Sequence, residues 1–523
     1  MLDPTVSLAL YRQMTYGQGS LEDLLGLGDL SLPEFEHQDL FDAALADGSA
    51  LAQALGAAPT SVSATQLGWG NTATGLTLRL AGLRGIGSLE DLAVAITDPN
   101  STARITGLSL RYLGTELLAA SFSDSAMSFT LGNLRVEMDG RLTNSFLDLL
   151  DLVIRLDDLT YFDGWLQDET SRAGLVALLS DYSVSGLRLF EDGAVLADLS
   201  LTPDRIALTL GGARLEAVGT FPVADLGALA GMLFSVIDAD PADTTPIEGF
   251  DLRRLTLSDA DGATQLSLSG SLRAPADFAN GVLTVLGTEG DDSDIRDFVG
   301  LTAAENPDFA GDEAFRQVSF RLQGGNDGFV WDLGAWLRAG AQDLPDLFVN
   351  GGTGTDRIDI LGGAVAARLV IDQIGQTIQT VPQGGTGFAM GFNSLELFRL
   401  VSGDAETAVE MTGNRWDSRV ELLGDRLTLQ FDGGAGTDIV GLGDFHGTGQ
   451  TLAQFLGWTR TVANPDGSHT IRDEATGRVL VTLTNVEAVA FGAESYGLDA
   501  LLEPEPVPTD SFDAVPGSDF LLR

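Results

Sequence analysis

The sequence predicts a mainly β protein in two parts. Residues 1–280 read as an elongated α+β body of helix-plus-antiparallel-strand modules, and residues 281–502 as an irregular parallel β-solenoid. Residues 503–523 read as a proline-rich linker and the start of another unit. Three observations carry this prediction. Before about residue 280, strands of period two open on glycine and alternate with helix-like segments. After it, glycine-aspartate turns punctuate short apolar strands. The apolar content of 44%, with 26 Phe and 6 Trp, is enough to pack both parts.

In the first part, "GSLEDLLGLG" (19–28) recurs as "GSLEDLAVAI" (87–96). Ser20 and Ser88 stand at N-cap positions, and Asp23 and Asp91 follow three residues later, near the positive helix end. "NSFLDLLDLVIRL" (144–156) puts Phe146, Leu149, Leu150, Val153 and Ile154 on one helical stripe. "VADLGALAGMLFSVI" (223–237) does the same with Leu226, Leu229, Leu233, Phe234 and Ile237. Between them, "TGLTLRL", "TGLSLRY", "SGLRLFE" and "EGFDLRR" share one plan: a glycine, then apolar and polar residues in alternation. One face is buried and the other wet, as in an antiparallel sheet.

Composition excludes several functions. There are 29 basic and 75 acidic residues, a net charge of −46. That surface repels nucleic acid and anionic membranes and holds divalent cations nearby. Without cysteine there is no disulfide, thiolate metal site or cysteine nucleophile. His37, His446 and His469 are scattered, against a zinc enzyme, and His446 reads as an exposed loop residue. No run approaches the ~18 apolar residues of a transmembrane segment. The opening "MLDPTVSLALYRQMTYGQGS" has no basic stretch followed by an apolar block, so no cleavable secretory signal is expected. Neither a G-x-S-x-G elbow nor a phosphate-binding P-loop occurs. Acidic pairs such as Asp157–Asp158 are too common to single out a glycosidase pair. Trp331 and Trp336 read as packing residues before a sugar platform.

The second part carries the chemistry. In "GGTGTDRIDILGG" (351–363), Gly351, Gly352, Gly354 and Asp356 satisfy G-G-x-G-x-D-x-U-x, with Ile358 as the apolar U. In "GGAGTDIVG" (433–441), Gly433, Gly434, Gly436 and Asp438 satisfy it again, with Val440. Composition alone would yield about 0.13 such six-residue openings, so two are not accidental. "LGTEGDDSDI" (286–295) is a degenerate relative containing Gly287, Gly290, Asp291 and Asp292, and "LQGGNDGF" (322–329) is a shortened one containing Asp327. "RLVID", "SLELFRLV", "TAVEMTG" and "RLTLQF" resemble solenoid rungs. The terminal "VPGSDFLLR" resembles the first half of a further unit, so a sequence continuing past Arg523 is expected.

Over 281–523 these motifs resemble the RTX (repeats-in-toxin, haemolysin-type) family of calcium-binding β-roll proteins. The resemblance implies Ca2+ as the cofactor. It implies metal ligands at Gly351, Gly352, Gly354, Asp356 and Asp359, at Gly433, Gly434, Gly436 and Asp438, and at Gly287, Gly290, Asp291, Asp292 and Asp327. It also implies export by type I secretion machinery from a Gram-negative bacterium to the extracellular space. The residue types suit that chemistry. Calcium takes 6–8 oxygen ligands at about 2.3–2.6 Å, and glycine lets a turn adopt positive φ and bring carbonyls inward. Repulsion among the carboxylates would keep this part loose until calcium orders it outside the cell. One feature departs from the family: the two complete motifs are 433 − 351 = 82 residues apart instead of nine. Either two turns meet because long loops fold between them, or each calcium is closed by unrelated oxygens.

The expectation is therefore a secreted, acidic calcium-binding protein without its own catalytic centre. Its first part would serve adhesion, surface or matrix roles toward a cell-surface or polysaccharide partner. The alternatives are a polysaccharide-acting hydrolase with a calcium-dependent export module, marked by close buried carboxylates in the first part, and an extracellular lipid-binding protein, marked by a continuous apolar groove.

Overall fold

The computed structural model describes residues 3–16, 21–27, 39–40, 59–71, 75–97, 102–141, 169–237, 244–274, 277, 281–297, 316–339, 344–382 and 387–502. The chain divides into two compact units, one from Gly19–Asp277 and the other from Asp3–Gln18 with Phe278–Arg523. The fold is mainly β, as the sequence predicts.

In the first unit, thirteen strands among the described residues, from Ser61–Ser63 to Thr264–Leu272, form one antiparallel meander. The glycine-led segments are members of it, as Leu76–Ala81, Gly107–Tyr112, Gly186–Glu191 and Asp251–Ser258. Alternation sorts the two faces. Leu187, Leu199, Leu208, Leu215, Leu257 and Leu266 are directly paired across six successive strands. On the opposite face Arg205, Arg214 and Arg254 converge on Glu216 at 3.2, 2.8 and 3.7 Å. Such exposed pairs add little stability and serve to keep this face wet.

The helices start where the sequence places caps. Ser88 Oγ accepts the Asp91 N–H at 3.1 Å and Asp91 Oδ2 accepts the Gly87 N–H at 2.9 Å, opening the helix Leu89–Thr97. Asp225 Oδ1 accepts the Ala228 N–H at 2.7 Å, opening Leu226–Ile237. The helix expected over 144–156 and the linker over 503–523 lie outside the described residues.

The second unit is a coil that passes alternately between two parallel sheets. The first sheet contains Val282–Leu286, Gln317–Arg321, Asp346–Asn350, Phe388–Asn393, Ala367–Asp372, Thr407–Thr412, Leu427–Asp432 and Val479–Thr484. A pair of antiparallel turns through Thr377–Pro382 joins its two parallel blocks. The second sheet contains Ile295–Arg296, Gly328–Asp332, Arg357–Leu361, Leu397–Val401, Arg419–Leu423, Ile439–Asp444 and Ala488–Phe491, each parallel to the next. Alternate side chains turn inward and stack in columns. Val285, Phe320, Val349 and Phe392 form one column, and Ile295, Phe329, Ile358, Phe398, Val420, Val440 and Val489 the facing one. The columns meet at Phe320–Phe329 and Phe392–Phe398, with ring centroids 4.9 and 5.6 Å apart.

The two edges of the coil differ. Insertions fall where the second sheet hands over to the first. The helix Leu333–Ala339, capped by Asp332 Oδ1 on the Ala335 N–H, is one; the segment holding Leu452–Leu456 and the hairpin Thr459–Ala463 with His469–Asp473 is another. The four motif turns, at 287–292, 324–327, 351–356 and 433–438, fall on the opposite edge, where the first sheet hands over to the second. Between the two complete motifs the second sheet adds Leu397–Val401 and Arg419–Leu423, so the 433 − 351 = 82 residue gap is three coils whose turns stack on one edge, the first coil lengthened by the antiparallel strand Thr377–Pro382.

Candidate functional site

The stacked turns are built for close backbone approach. Gly352 and Gly354 adopt φ of 98° and 137°, and Gly434 and Gly436 φ of 85° and 131°. A Cβ on Gly352 would lie 1.9 Å from the Gln323 carbonyl oxygen, and one on Gly354 would lie 1.7 Å from that of Gly325. In that space Thr353 N–H donates to Gln323 O and Gly325 N–H to Thr353 O, at 2.9 and 3.0 Å. Glycine is demanded here both by the left-handed backbone and by the neighbouring coil.

One position per turn carries an acid, and these acids form a ladder. Asp292 N–H donates to Asp327 Oδ1 at 2.7 Å, Asp327 N–H to Asp356 Oδ1 at 2.9 Å, and Asp356 N–H to Glu396 Oε2 at 2.9 Å. Ser418 replaces the acid on the next coil. The ladder resumes with Ser418 N–H to Asp438 Oδ1 at 2.9 Å and Asp438 N–H to Glu487 Oε2 at 2.7 Å. A parallel set runs one residue earlier: Asn326 N–H to Asp291 Oδ1, Thr355 N–H to Asn326 Oδ1 and Thr437 N–H to Asp417 Oδ1, at 2.7, 3.0 and 2.6 Å. Each carboxylate thus satisfies an amide that the turn would otherwise leave without a partner.

The second oxygen of each central acid is different. Asp327, Asp356 and Asp438 are 2%, 0% and 0% exposed, and Oδ2 of each has no hydrogen-bond partner. Burial pushes Asp327 up to about 7, reinforced by the charges of Asp356, Asp292 and Asp291. Burial likewise pushes Asp356 up to about 6, Glu396 to about 7 and Asp438 to about 7; repulsion from Asp356 adds to the Glu396 shift, and repulsion from Glu487 and Asp417 to that of Asp438. A buried carboxylate oxygen without a donor is costly. It calls for a proton or a cation.

At the two complete motifs the unpartnered oxygen has company. A Cβ on Gly351 would lie 2.4 Å from Asp356 Oδ2 and 2.0 Å from Ser394 O. A Cβ on Gly433 would lie 2.6 Å from Asp438 Oδ2 and 2.3 Å from Asn485 O. The donors are all oxygen, which suits a hard cation such as calcium. Among the described residues no three His, Cys, Asp or Glu gather as a metal group, so a cation here would draw on backbone carbonyls as well as carboxylates.

The structure brings together Gly351, Gly352, Gly354 and Asp356, and separately Gly433, Gly434, Gly436 and Asp438. Gly287, Gly290, Asp291, Asp292 and Asp327 stack along the same edge. Asp359 stands apart. It lies on the strand Arg357–Leu361, paired with Arg357 at 3.0 Å and Arg399 at 3.7 Å. Burial pushes its carboxyl up while those two guanidiniums oppose the shift. Trp331 and Trp336 are core residues with rings 6.2 Å apart, and Trp336 Nε1–H donates to Asp297 Oδ1 at 2.9 Å. His446 is exposed on its loop, beside Trp458.

Sequence reading missed Ser394, Glu396, Asn485 and Glu487. The signal was present in "SLELF" and "NVEAV", a turn residue, an apolar residue and a glutamate before an apolar strand. In the first unit the buried acid Asp251 is held by Ser271, Arg273 and Arg253 at 2.6, 3.2 and 3.1 Å, and the Ser271 hydrogen bond leads in lowering it to about 2. That is a structural carboxylate, unlike a raised general acid. No described helix is long and apolar enough to cross a membrane. Comparison of the chain with protein-family models, curated proteins and solved structures returned no match.

Proposed function

We propose that the chain is a secreted, non-catalytic scaffold whose second unit is ordered by calcium on the glycine-aspartate edge. The observation that carries this reading is the unpartnered, buried Oδ2 on Asp327, Asp356 and Asp438. Calcium would be held by those carboxylates and neighbouring backbone carbonyls, and when bound it supplies the positive charge that the buried acids lack. The chain's own residues do the rest. The glycines let the turns stack, the first oxygen of each acid holds the amide of the coil before, and the inward columns of Phe, Val and Ile close the interior. With a net charge of −46, an isolated surface of this kind concentrates divalent cations around the edge. Export by the type I route and a surface or matrix role for the first unit belong to the same reading.

The test is thermal unfolding of the full chain by calorimetry and circular dichroism, in chelator and in millimolar calcium. A calcium-dependent rise in the melting temperature of the second unit supports the reading. Superimposable transitions overturn it. A second reading, lipid binding by the first unit, is favoured by the six-strand leucine row, in which Leu215 is 36% exposed. Partition of the chain onto neutral vesicles, lost on Leu215→Asp, would support it.

A further inference from the structure

Each complete glycine-aspartate turn is closed by the same device on the following coil, and that device is not a second glycine-aspartate turn. After the turn 351–356 comes the short turn 394–396; after 433–438 comes 485–487. Both short turns open on a non-glycine residue in the left-handed region, Ser394 at φ 51° and Asn485 at φ 50°. The carbonyl of that residue reaches the glycine that opens the long turn, at the 2.0 and 2.3 Å approaches given above. Both short turns end on glutamate, and its Oε2 accepts the N–H of the long turn's aspartate at 2.9 and 2.7 Å. Glutamate stands in the ladder where the long turns have aspartate. The buried, unpartnered Oδ2 of Asp356 or Asp438 crowds the same point as the carbonyl.

Two copies of one arrangement, 40 and 49 residues across in sequence and embedded in unlike surroundings, point to a common occupant. Asp327 lacks the arrangement. The next acid along its ladder, Asp356, sits in a long turn, and the residue five before Asp327, where the complete motifs have Gly351 and Gly433, is Leu322.

We infer that the chain has two equivalent pockets for a hard divalent cation, one formed by Asp356, Ser394 and Glu396, the other by Asp438, Asn485 and Glu487, with the glutamate as the second anionic group. This rests on the calcium reading of the glycine-aspartate edge and adds to it the ligands, the stoichiometry and the role of the short turns.

The test is titration of the full chain with calcium chloride by isothermal calorimetry, for wild type, Glu396→Gln, Glu487→Gln and the double variant. Glutamine keeps an oxygen for the aspartate N–H and removes only the charge, so a merely capping glutamate would leave binding unchanged. Wild type is expected to take up two equivalents. Each single variant is expected to lose one of them, with affinity at that pocket at least tenfold weaker, and the double variant both. The calcium-free melting temperature should not fall in any variant. Wild-type uptake of a number other than two, or variants that titrate like wild type, overturns the two-pocket assignment while leaving calcium at the turns standing. Wild type that binds no calcium and shows no thermal shift overturns both.

Discussion

Asp327 donates its backbone N–H to Asp356 Oδ1 across 29 residues of sequence, and both carboxylates are buried with Oδ2 unpartnered. One oxygen of Asp356 is therefore architectural and the other is a liability, and substitutions can separate them. Asp356→Asn keeps an acceptor for the Asp327 amide and removes the charge. In chelator at pH 7 its melting temperature is expected to match or exceed wild type, while the rise on adding calcium shrinks. Asp356→Ala strands the buried Asp327 amide and is expected to cost about 1–3 kcal/mol with or without calcium. Calorimetry of the three chains decides it; an Asn variant as unstable as the Ala variant in chelator would contradict the division of labour.

The same ladder sets an unusual pH dependence. Asp327, Glu396 and Asp438 stand at about 7 and Asp356 at about 6, all raised above the unfolded values near 4. The folded chain then holds these protons more tightly than the unfolded chain. Their stabilisation is complete below about pH 4 and is lost as pH rises through 6 to 7. In chelator the second unit is expected to melt several degrees higher at pH 5 than at pH 8, the reverse of ordinary acid denaturation. Asp251, lowered to about 2, loses its contribution as pH falls from about 4 to 2 and does not enter this window. Calcium should abolish the difference by replacing the protons. A melting temperature that falls from pH 8 to pH 5 in chelator would refute the assignment.

Much of this edge was legible in the sequence, because glycine at left-handed positions and aspartate at an amide cap are local demands. The period-two strands were legible for the same reason: alternation in "TGLSLRY" fixes a buried and a wet face without reference to anything distant. What was not legible is distance in space. Gly351 and Gly433 are 433 − 351 = 82 residues apart, and nothing local in the sequence between them says that it folds into three coils whose turns stack on one edge. Glu396 and Glu487 were hidden because a glutamate before an apolar strand is common, and only the stacking of coils shows it reaching a buried aspartate. Asp359 misled because it follows the motif by three residues, whereas strand alternation carries it to the arginines of the outer face.

The glycine requirement can be divided into its backbone and steric parts. Gly352 has φ 98° and a Cβ there would lie 1.9 Å from Gln323 O, whereas Gly477 has φ 70° with open space around it. Gly477→Ala is expected to cost about 1 kcal/mol, the left-handed penalty alone. Gly352→Ala adds a clash with rigid backbone and is expected to cost about 3 kcal/mol or more. Chemical denaturation of both variants in calcium measures the contrast, and equal losses would mean that the neighbouring coil is not held as tightly as the geometry requires.

The first edge of the coil is covered by the chain's own start. The strand Asp3–Ser7 runs parallel to Val282–Leu286, pairing Val6 with Val285, and the helix Leu8–Tyr16 follows it. Tyr11 O–H donates to Arg296 O at 2.9 Å and Arg12 to Ser293 O at 2.8 Å, so the helix also tends the second sheet. An uncovered parallel edge of Val and Leu would be a template for another chain. Deleting residues 3–16 is therefore expected to lower the melting temperature of the second unit and to produce concentration-dependent oligomers in light scattering. Supplying 3–16 as a separate peptide in excess should reverse the association. A deletion variant that stays monomeric and melts with the full chain would show that the strand is an ornament on an edge already protected by other means.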